Sequence, residues 1–318
     1  MNRLEVKFKN FQLQSPLLTA SGTAGHSDEI EVLENIQSIK SSIGAFVTKG
    51  ITLEQRWGNP EFRIAEIRGS ILNSIGLQNK GVKKFVEEDI VELLNFDLPI
   101  IVNISGNTVD DFGQVAKYLN DNDFSSLISG IEINVSCPNI KKGGVLFGAD
   151  PKQVESIVKT VKKNLDSHFL VITKLTPNIT DITEPARAAI NGGTDALSMI
   201  NTLRGMAIDI DKRKPFLDNI SGGLSGPAIK PIGLFMVYEC YKKIPECNKR
   251  EIPIIGIGGI SSWRDVLEYI MAGASAVGIG TAWFINPDIF NEIHKSLKRY
   301  FNQKNENLEH LIGIAHGK

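Results

Sequence analysis

Residues 252–259 read IPIIGIGG and residues 274–282 read ASAVGIGTA, two short apolar runs with glycines towards their ends. Both lack the polar–apolar alternation of a half-exposed strand, which is typical of strands that are buried on both faces. Between them lies a stretch of helical character that Ser262 can cap and Gly273 can end. A strand, a helix and a second strand in this order predict one unit of a parallel α/β fold.

Six more apolar runs of this kind come earlier in the chain, separated by helical stretches. Eight such units in 318 residues predict a single (β/α)8 TIM barrel, an α/β fold, with a doubly wound open sheet as the alternative. We expect one domain over residues 1–318. Asp150-Pro151 and Asn286-Pro287 each predict a helix start, because an N-cap residue precedes a proline. The six earlier runs are PLLTASG (16–22), GAFVTKG (44–50), PIIVNISG (99–106), GIEINVSCP (130–138), FLVITKL (169–175) and ALSMINT (196–202).

The composition is that of an ordinary globular protein and excludes several classes of function. The formal net charge of −1 provides no broad positive field, so nucleic acid is not expected as a ligand. Three cysteines without CxxC spacing, scarce histidines and no clustered carboxylates predict neither a metal nor an iron–sulfur site in this chain. The amino terminus has no signal-peptide pattern, and the uncharged run 270–285 reads as a helix end followed by a strand. We therefore expect a cytoplasmic protein without a membrane span.

The carboxyl ends of the eight runs carry polar side chains or glycines. In a barrel these ends meet at one face, where enzymes of this fold have their active sites. A turn or a helix cap explains any single one of them, but eight ends that bring amides, two lysines and a thiol together predict a functional site. In chain order the ends offer Ser21, Thr48, Lys49, Asn103, Asn134, Cys137, Lys174, Asn201, Thr202, Gly258, Gly259, Gly280 and Thr281.

Two connections at this face are much longer than ordinary barrel loops. They span about residues 50–81 and 203–230 and contain amides and glycines. Such insertions predict lids or walls over the site, with simple solvated insertions as the alternative.

Glycines end the last two strands, in GIGGI and GIGTA. At glycine the backbone N–H groups can approach an anion closely, and the helix that begins near Ser261 adds its positive end. The loops after the last two strands of a (β/α)8 barrel frequently bind phosphate. We therefore predict a phosphate-bearing cofactor here, although the spacing is not that of a Rossmann dinucleotide site.

Three side chains at this face suit catalysis. Lys49 and Lys174 each end an apolar strand, which fits a surface ion pair, a Schiff base, or a cation beside a ring that gains negative charge on reduction. Cys137 precedes the strand-breaking Pro138 and fits either a nucleophile or, once ionised, a base. Because no histidine ends a strand, proton transfer is favoured over nucleophilic catalysis.

Ten motifs are specific enough to indicate a family. They are ASGTAG (20–25), TKGITLEQRWGNPEFRIAE (48–66), NSIGLQNKG (73–81), NISG (103–106), EINVSCPN (132–139), KLTPN (174–178), MINT (199–202), SGGLSGPAIKP (221–231), IIGIGGI (254–260) and ASAVGIGTA (274–282). On these motifs the chain resembles, along nearly its full length, the class 1B dihydroorotate dehydrogenases, the FMN-containing catalytic subunits of pyrimidine (UMP) biosynthesis. Small departures, such as Lys80 where proline is common, lie beside the binding segments.

The resemblance implies a reaction and the residues that perform it. Cys137 would be the base that removes a proton from C5 of dihydroorotate while a hydride passes from C6 to N5 of FMN. Lys49 is the second residue that the resemblance implies as catalytic. Lys174 would stabilise the reduced flavin. The implied orotate-binding residues are Lys49, Asn73, Ser74, Ile75, Gly76, Leu77, Asn134, Asn139, Asn201 and Thr202. The implied FMN-binding residues are Ser21, Lys49, Gly50, Asn103, Asn134, Lys174, Ile200, Gly226, Gly258, Gly259, Gly280 and Thr281.

The resemblance also implies a partner. Class 1B relatives pass electrons to NAD through a separate subunit that carries FAD and a [2Fe–2S] cluster. We therefore expect a homodimeric core joined by such a subunit in a heterotetramer. Each catalytic chain is expected to bind one FMN. The membrane-associated class differs by a serine in place of Cys137. Two alternatives stay open: an FMN barrel of the dihydropyrimidine dehydrogenase or dihydrouridine synthase type, and a non-catalytic flavin-binding barrel. The second would not need Cys137 together with Lys49 and Lys174.

Overall fold

The computed structural model describes residues 2–9, 11–23, 36–93, 97–122, 128–136, 138–139 and 145–317. Its strands are β1 (Val6–Phe8), β2 (Phe11–Leu13), β3 (Leu17–Thr19), β4 (Phe46–Val47), β5 (Ile64–Ile67), β6 (Ser70–Asn73), β7 (Ile100–Ile104), β8 (Ile128–Asn134), β9 (Pro138–Asn139), β10 (Val145–Leu146), β11 (Leu170–Leu175), β12 (Ala196–Met199), β13 (Leu203–Gly205), β14 (Ile208–Asp209), β15 (Lys214–Pro215), β16 (Gly222–Ser225), β17 (Ile254–Ile257) and β18 (Ala276–Ile279).

Helices lie between several of these strands and after the last of them. The α-helices are α1 (Val82–Lys84), α2 (Ile90–Leu93), α3 (Val109–Asp121), α4 (Pro151–Lys163), α5 (Thr183–Gly192), α6 (Lys230–Lys243), α7 (Pro245–Asn248), α8 (Trp263–Met271), α9 (Thr281–Ile285) and α10 (Ile289–Lys304). A π-helical turn, Phe85–Asp89, joins α1 to α2. Short 3-10 helices cover Phe147–Ala149, Pro227–Ile229, Leu308–Leu311 and Ile314–His316.

Eight of the strands form a parallel sheet in the order β3, β18, β17, β12, β11, β8, β7, β4. Its two edge strands are linked by a parallel bridge between Leu18 and Ala45 and by a hydrogen bond of 2.8 Å from Gly44 N to Leu17 O. The sheet therefore closes into a barrel with helices between its strands, as in the (β/α)8 fold. Each of the eight predicted runs overlaps one barrel strand, and the edges of the sheet meet, so the prediction of a barrel rather than an open sheet is confirmed.

An antiparallel hairpin, β1 and β2, packs against the amino-terminal end of the barrel. Its side chains Val6, Phe8 and Leu13 are buried in one apolar cluster with residues that face the barrel interior. Alternate residues of a strand face the same side of the sheet. The residues two positions after those of this cluster therefore also face the barrel interior, in its carboxyl-terminal half. The barrel residues of this cluster are Leu18, Ala45, Val47, Ile101, Leu170, Ile172, Ala196, Ile255 and Ala276.

Two of the predicted helix starts are confirmed and one is wrong. The side chains of Asp150 and Ser262 cap α4 and α8, as predicted. The predicted start at Asn286-Pro287 is wrong, because α10 begins at Ile289. The Oδ1 atom of Asn286 accepts the N–H of Asp288 and forms a local turn that delays the helix.

The uncharged run 270–285 contains the last residues of α8, the buried strand β18 and the short helix α9, which agrees with the sequence prediction of a helix end followed by a strand. Gly273 follows α8 with φ +117°, a conformation that favours glycine. Among the residues that the structure describes, no helix has both the length and the apolar character needed to cross a bilayer.

The two long insertions meet in one antiparallel sheet of order β13, β16, β6, β5. They are joined by the pairing of β6 with β16, among other contacts, and in this pairing Asn73 lies opposite Gly223 and Ile71 lies opposite Ser225. A small hairpin, β14 and β15, extends from the second insertion. The sequence predicted an insertion at each place but not their pairing.

His294 on α10 makes the stability of the fold depend on pH. It is buried, and its Nδ1 lies 3.3 Å from Ser15 Oγ. Burial, with a smaller effect of the Lys298 cation, lowers the pKa of His294 to about 4. The unfolded chain, with a His pKa of about 6.5, then binds a proton more readily than the folded chain. The contribution of neutral His294 to stability is therefore complete above pH 6.5 and is lost as the pH falls towards 4.

We expect this group alone to reduce the free energy of unfolding by about 2 kcal/mol between pH 7 and pH 5. Urea unfolding curves at the two pH values measure the difference. His294→Gln should remove most of it, whereas His310→Gln, at an exposed histidine, should retain it. An unchanged pH dependence in His294→Gln would assign the effect to other groups.

Candidate functional site

A layer of polar side chains lies in the barrel beyond the apolar cluster. Asn103, Glu132, Lys174 and Ser198 are each at most 5% exposed and come from β7, β8, β11 and β12, which are neighbouring strands. Asn103 Nδ2 donates to Glu132 Oε2 at 2.6 Å, and Ser198 Oγ donates to Glu132 Oε1 at 2.7 Å. Lys174 Nζ lies 3.8 Å from Glu132 Oε2. The four side chains therefore form one buried network around a single carboxylate.

Two oxygen atoms beside this layer are buried without a hydrogen-bond partner, Asn103 Oδ1 and Ser105 Oγ. A Cβ atom at Gly50 would lie 2.9 Å from Asn103 Oδ1 and 3.5 Å from Leu77 Cδ2. The backbone at Gly50 thus runs directly beside the amide oxygen, next to Lys49, which is half-buried. Buried polar atoms are nearly always paired in proteins, so these two oxygens mark a place where a ligand or a water molecule can supply the missing partners.

Asparagines at the ends of β8 and β12 contact each other. Asn201 Nδ2 donates to Asn134 Oδ1 at 3.1 Å, while Asn201 Oδ1 accepts the N–H of Thr202 at 2.8 Å. The inserted sheet joins this group, since Asn73 Nδ2 donates to the Gly223 carbonyl at 3.3 Å. A side chain at Gly223 would collide with Thr202 Oγ1, so Thr202 packs directly against β16. Asn73, Asn134, Asn201 and Thr202 are thereby brought together.

The segment that follows β6, residues 74–77, is held by Asn59 of the same insertion. Asn59 N donates to the Ile75 carbonyl at 2.9 Å, and Asn59 Nδ2 donates to the Ser74 carbonyl at 2.8 Å. Gly76 has φ +78° and lies so close to Asn59 that a Cβ atom would be 2.7 Å from its backbone N. Ser74 Oγ is a further buried oxygen without a partner. This segment is therefore fixed by its own insertion while it presents Leu77 to Gly50.

The glycine-rich ends of β16, β17 and β18 meet on the other side of the barrel mouth. A Cβ atom at Gly259, where φ is +65°, would lie 2.9 Å from the Gly226 carbonyl oxygen. Thr281 Oγ1 donates to Ser225 Oγ at 2.8 Å. Gly280 packs beside Ala20, the residue before Ser21. The structure thus brings Ser21, Gly226, Gly259, Gly280 and Thr281 into one region, and Gly258 adjoins it.

Ion pairs between Lys230 of α6 and two carboxylates of α8 lie next to this region. Lys230 Nζ lies 2.5 Å from Asp265 Oδ1 and 2.9 Å from Glu268 Oε1. Burial would raise the pKa of the Asp265 carboxyl, but hydrogen bonds from Lys230, Ser261 and Ser262 lower it further than burial raises it, so the pKa lies below its ordinary value. The charged Asp265 ties the start of α8 to the segment after Gly226.

Ile200 at the end of β12 is buried, and its N–H donates to the Ile257 carbonyl at 3.0 Å. Two sequence-predicted site residues are not part of this geometry. Cys137 and the side chain of Asn139 lie outside the described residues. Within the described residues, no group of three His, Cys, Asp or Glu side chains is arranged to hold a metal ion.

The sequence prediction missed Glu132, Ser198 and Ser105. Glu132 lies in the apolar run of β8, two residues before Asn134, and therefore faces the same side of the strand. The same period of two relates Ser105 to Asn103. These spacings place Glu132 and Ser105 on the same face as the neighbouring asparagines, but the sequence prediction took only one or two polar residues from each run and did not apply the period of two.

Comparison with known proteins identifies the family of this barrel. A sequence profile described as dihydroorotate dehydrogenase matches residues 3–301. The chain belongs to the dihydroorotate dehydrogenase family. Within it, a protein of Caldicellulosiruptor bescii named dihydroorotate dehydrogenase B (NAD(+)), catalytic subunit, is 46% identical over 311 residues, which cover 98% of each chain.

Two further relatives carry the same name. The protein of Geobacter sp. strain M21 is 44% identical over 98% of this chain and 97% of its own length. The protein of Alkaliphilus oremlandii is 47% identical over 97% of both chains. A crystal structure of dihydroorotate dehydrogenase from Eimeria tenella, in complex with ferulenol, has a TM-score of 0.79, covers 100% of this chain and 90% of its own, and is 22% identical. That structure supports the barrel fold of this family member.

Proposed function

We propose that this family member is the FMN-containing catalytic subunit of a class 1B dihydroorotate dehydrogenase, which oxidises dihydroorotate to orotate in UMP biosynthesis. The observation that carries the proposal is the 46% identity, over 98% of both chains, to a protein named as such a catalytic subunit. Steady-state oxidation of dihydroorotate by the purified chain, with an artificial electron acceptor, tests it. A chain that turns over other pyrimidines but not dihydroorotate would contradict it.

The residues present suit FMN, because they combine a phosphate cradle with a polar site for a flat ring. Positive-φ Gly226 and Gly259 lie close together, so backbone groups can approach a phosphate without side chains between them. Asn103 Oδ1 is buried and unpaired, as expected of an acceptor for a ring N–H. We assign to FMN the residues Ser21, Lys49, Gly50, Asn103, Asn134, Lys174, Ile200, Gly226, Gly258, Gly259, Gly280 and Thr281.

The amides at the ends of β6, β8 and β12 suit dihydroorotate, a six-membered ring with carbonyl and N–H groups and one carboxylate. Each asparagine offers a donor and an acceptor, and the Lys49 ammonium provides the positive charge for the carboxylate. The contact between Asn134 and Asn201 supports their action as one set. We assign to the substrate Lys49, Asn73, Ser74, Ile75, Gly76, Leu77, Asn134, Asn139, Asn201 and Thr202.

Cys137 is the residue that we assign as base. Its thiolate takes a proton from C5 of dihydroorotate while C6 loses a hydride, so that a double bond forms between C5 and C6. FMN, when bound, supplies the hydride acceptor. Lys49 and the asparagines hold the substrate ring in place, and the Lys174 ammonium favours added negative charge on the neighbouring ring system.

The name of the relatives, catalytic subunit, implies a partner subunit. We propose a heterotetramer in which a homodimeric core binds partner subunits that carry FAD and a [2Fe–2S] cluster. Exposed large apolar side chains support such contacts, because many of those in the described residues lie on the two insertions. Asp218 N donates to the Phe62 carbonyl at 3.1 Å, so both insertions contribute to one surface. Its apolar residues are Trp57, Phe62, Ile64, Met206, Ile208, Ile210, Phe216 and Ile220.

The isolated chain should therefore oxidise dihydroorotate with an artificial acceptor but reduce NAD at least about a hundredfold more slowly than the complex. The flavin of one subunit has no route to NAD without the cofactors of the other. A panel of NAD, fumarate and quinone, with and without the co-expressed partner subunit, measures this. Rapid NAD reduction by the chain alone would contradict the class 1B assignment.

We also propose that residues 1–318 act as one FMN-binding domain in the cytoplasm. Limited proteolysis of the FMN-loaded chain tests the first statement. In a single domain, all the barrel strands should be protected from cleavage together. Cell fractionation tests the second, and recovery of the protein with membranes after a high-salt wash would contradict it.

A further inference from the structure

Glu132 is a buried carboxylate that the proposed reaction does not use. It is 3% exposed, and its partners lie on three other barrel strands. Oε1 accepts from Ser198 at 2.7 Å, and Oε2 accepts from Asn103 at 2.6 Å. A charge in this position is costly unless it is hydrogen-bonded and paired, and the Lys174 ammonium, 3.8 Å away, provides the pairing.

The carboxylate decides which way the amide of Asn103 points. An ionised carboxylate only accepts hydrogen bonds, so Asn103 must turn its NH2 group towards Glu132. Its Oδ1 atom then faces the other way, beside Gly50, where it is buried without a partner. With Glu132 charged, the site therefore presents an acceptor at this position rather than a donor.

The same carboxylate offsets the charge of Lys174. Both side chains are almost fully buried, so water screens their charges little. A cation alone would favour a ring that gains negative charge on reduction, whereas the carboxylate next to it opposes that gain. The balance of the two charges, rather than Lys174 by itself, then sets the electrostatic potential at this end of the barrel.

We propose that Glu132 is a positioning residue that fixes Asn103 as an acceptor for a flavin N–H group and keeps the flavin reduction potential lower than Lys174 alone would set it. This inference rests on the proposed FMN-dependent function. The oxidised isoalloxazine offers one ring N–H, at N3, between two carbonyl groups, which is the pattern that an acceptor at Asn103 selects. If Glu132 only held the strands together, its loss would lower the stability of the fold and leave the FMN affinity and the flavin reduction potential unchanged.

The test is Glu132→Gln, which keeps the shape and removes the charge. The glutamine NH2 group favours the opposite orientation of Asn103, so we expect FMN to bind about tenfold more weakly. We expect the equilibrium between oxidised and reduced flavin to shift about tenfold towards the reduced form, which is ~30 mV for a two-electron couple. FMN fluorescence measures binding, and equilibration with a reference dye measures the potential.

Ser198→Ala is the matched control, because it removes a hydrogen bond to the same carboxylate but keeps the charge. We expect lower stability and an unchanged potential. Glu132→Asp keeps the charge but shortens the reach to Asn103, so it should weaken FMN binding and leave the potential near that of the wild type. It therefore tests the orientation even if Glu132→Gln does not fold.

Unchanged FMN affinity and reduction potential in Glu132→Gln, with reduced stability, would overturn the inference and show that Glu132 has only a structural role. Wild-type affinity in Glu132→Asp would overturn the orientation of Asn103. Failure of the proposed function is distinguished by the wild-type chain, which would then lack FMN or fail to oxidise dihydroorotate before any variant is compared.

Discussion

Replacement of Cys137 by alanine should lower the rate of dihydroorotate oxidation by about two to four orders of magnitude while the chain keeps its flavin. A positioned general base typically contributes a factor of this size, because without it the C5 proton has no acceptor in contact. The residues assigned to FMN do not include Cys137, so binding of the flavin should not change. Stopped-flow reduction of the flavin by dihydroorotate measures the rate, and the flavin absorbance of the purified variant measures occupancy.

Cys240→Ala is the control, because this thiol lies buried in α6 and takes no part in the proposed site. Burial, together with nearby Cys247, raises the pKa of the Cys240 thiol well above its ordinary value, so it stays protonated at neutral pH. Its replacement should leave the rate unchanged. If Cys137→Ala retained the full rate of flavin reduction, Cys137 would have no role as base.

Replacement of Lys174 by methionine should destabilise the folded protein by about 3–5 kcal/mol, because it leaves the Glu132 carboxylate buried without a cation. The flavin should also become harder to reduce, since the positive charge that favours the reduced ring is lost. Urea unfolding of the apoprotein measures the first effect, and the reduction potential of the FMN-loaded chain measures the second.

Lys159→Met is the matched control for stability. Lys159 lies on α4 and is 60% exposed in an ion pair with Glu155, so its loss should cost less than about 1 kcal/mol. The double variant Lys174→Met/Glu132→Gln should recover part of the stability, because it removes the unpaired charge as well. Equal destabilisation by Lys174→Met and Lys159→Met would show that Lys174 does not neutralise Glu132.

The eight-stranded barrel could be predicted from the sequence because its cause is local. A strand covered by helices on one side and by the barrel interior on the other must be apolar on both faces, and β17 and β18 carry this pattern in their own residues. The glycines and prolines that flank the short runs limit where each strand can begin and end. The start of α10 was the exception, since the turn made by Asn286 competes with the helix.

The neighbours of each polar side chain could not be predicted in this way. β6 and β16 pair although their paired residues Asn73 and Gly223 lie 150 positions apart, and no property of either segment specifies that register. Glu132 lies within an apolar run and was not among the predicted site residues, and three partners on other strands make its burial possible. Sequence by itself determined the strands and the kinds of group at their ends, because these depend on local burial. Tertiary structure alone decided which groups meet, because that depends on closure of the barrel and on long-range pairing.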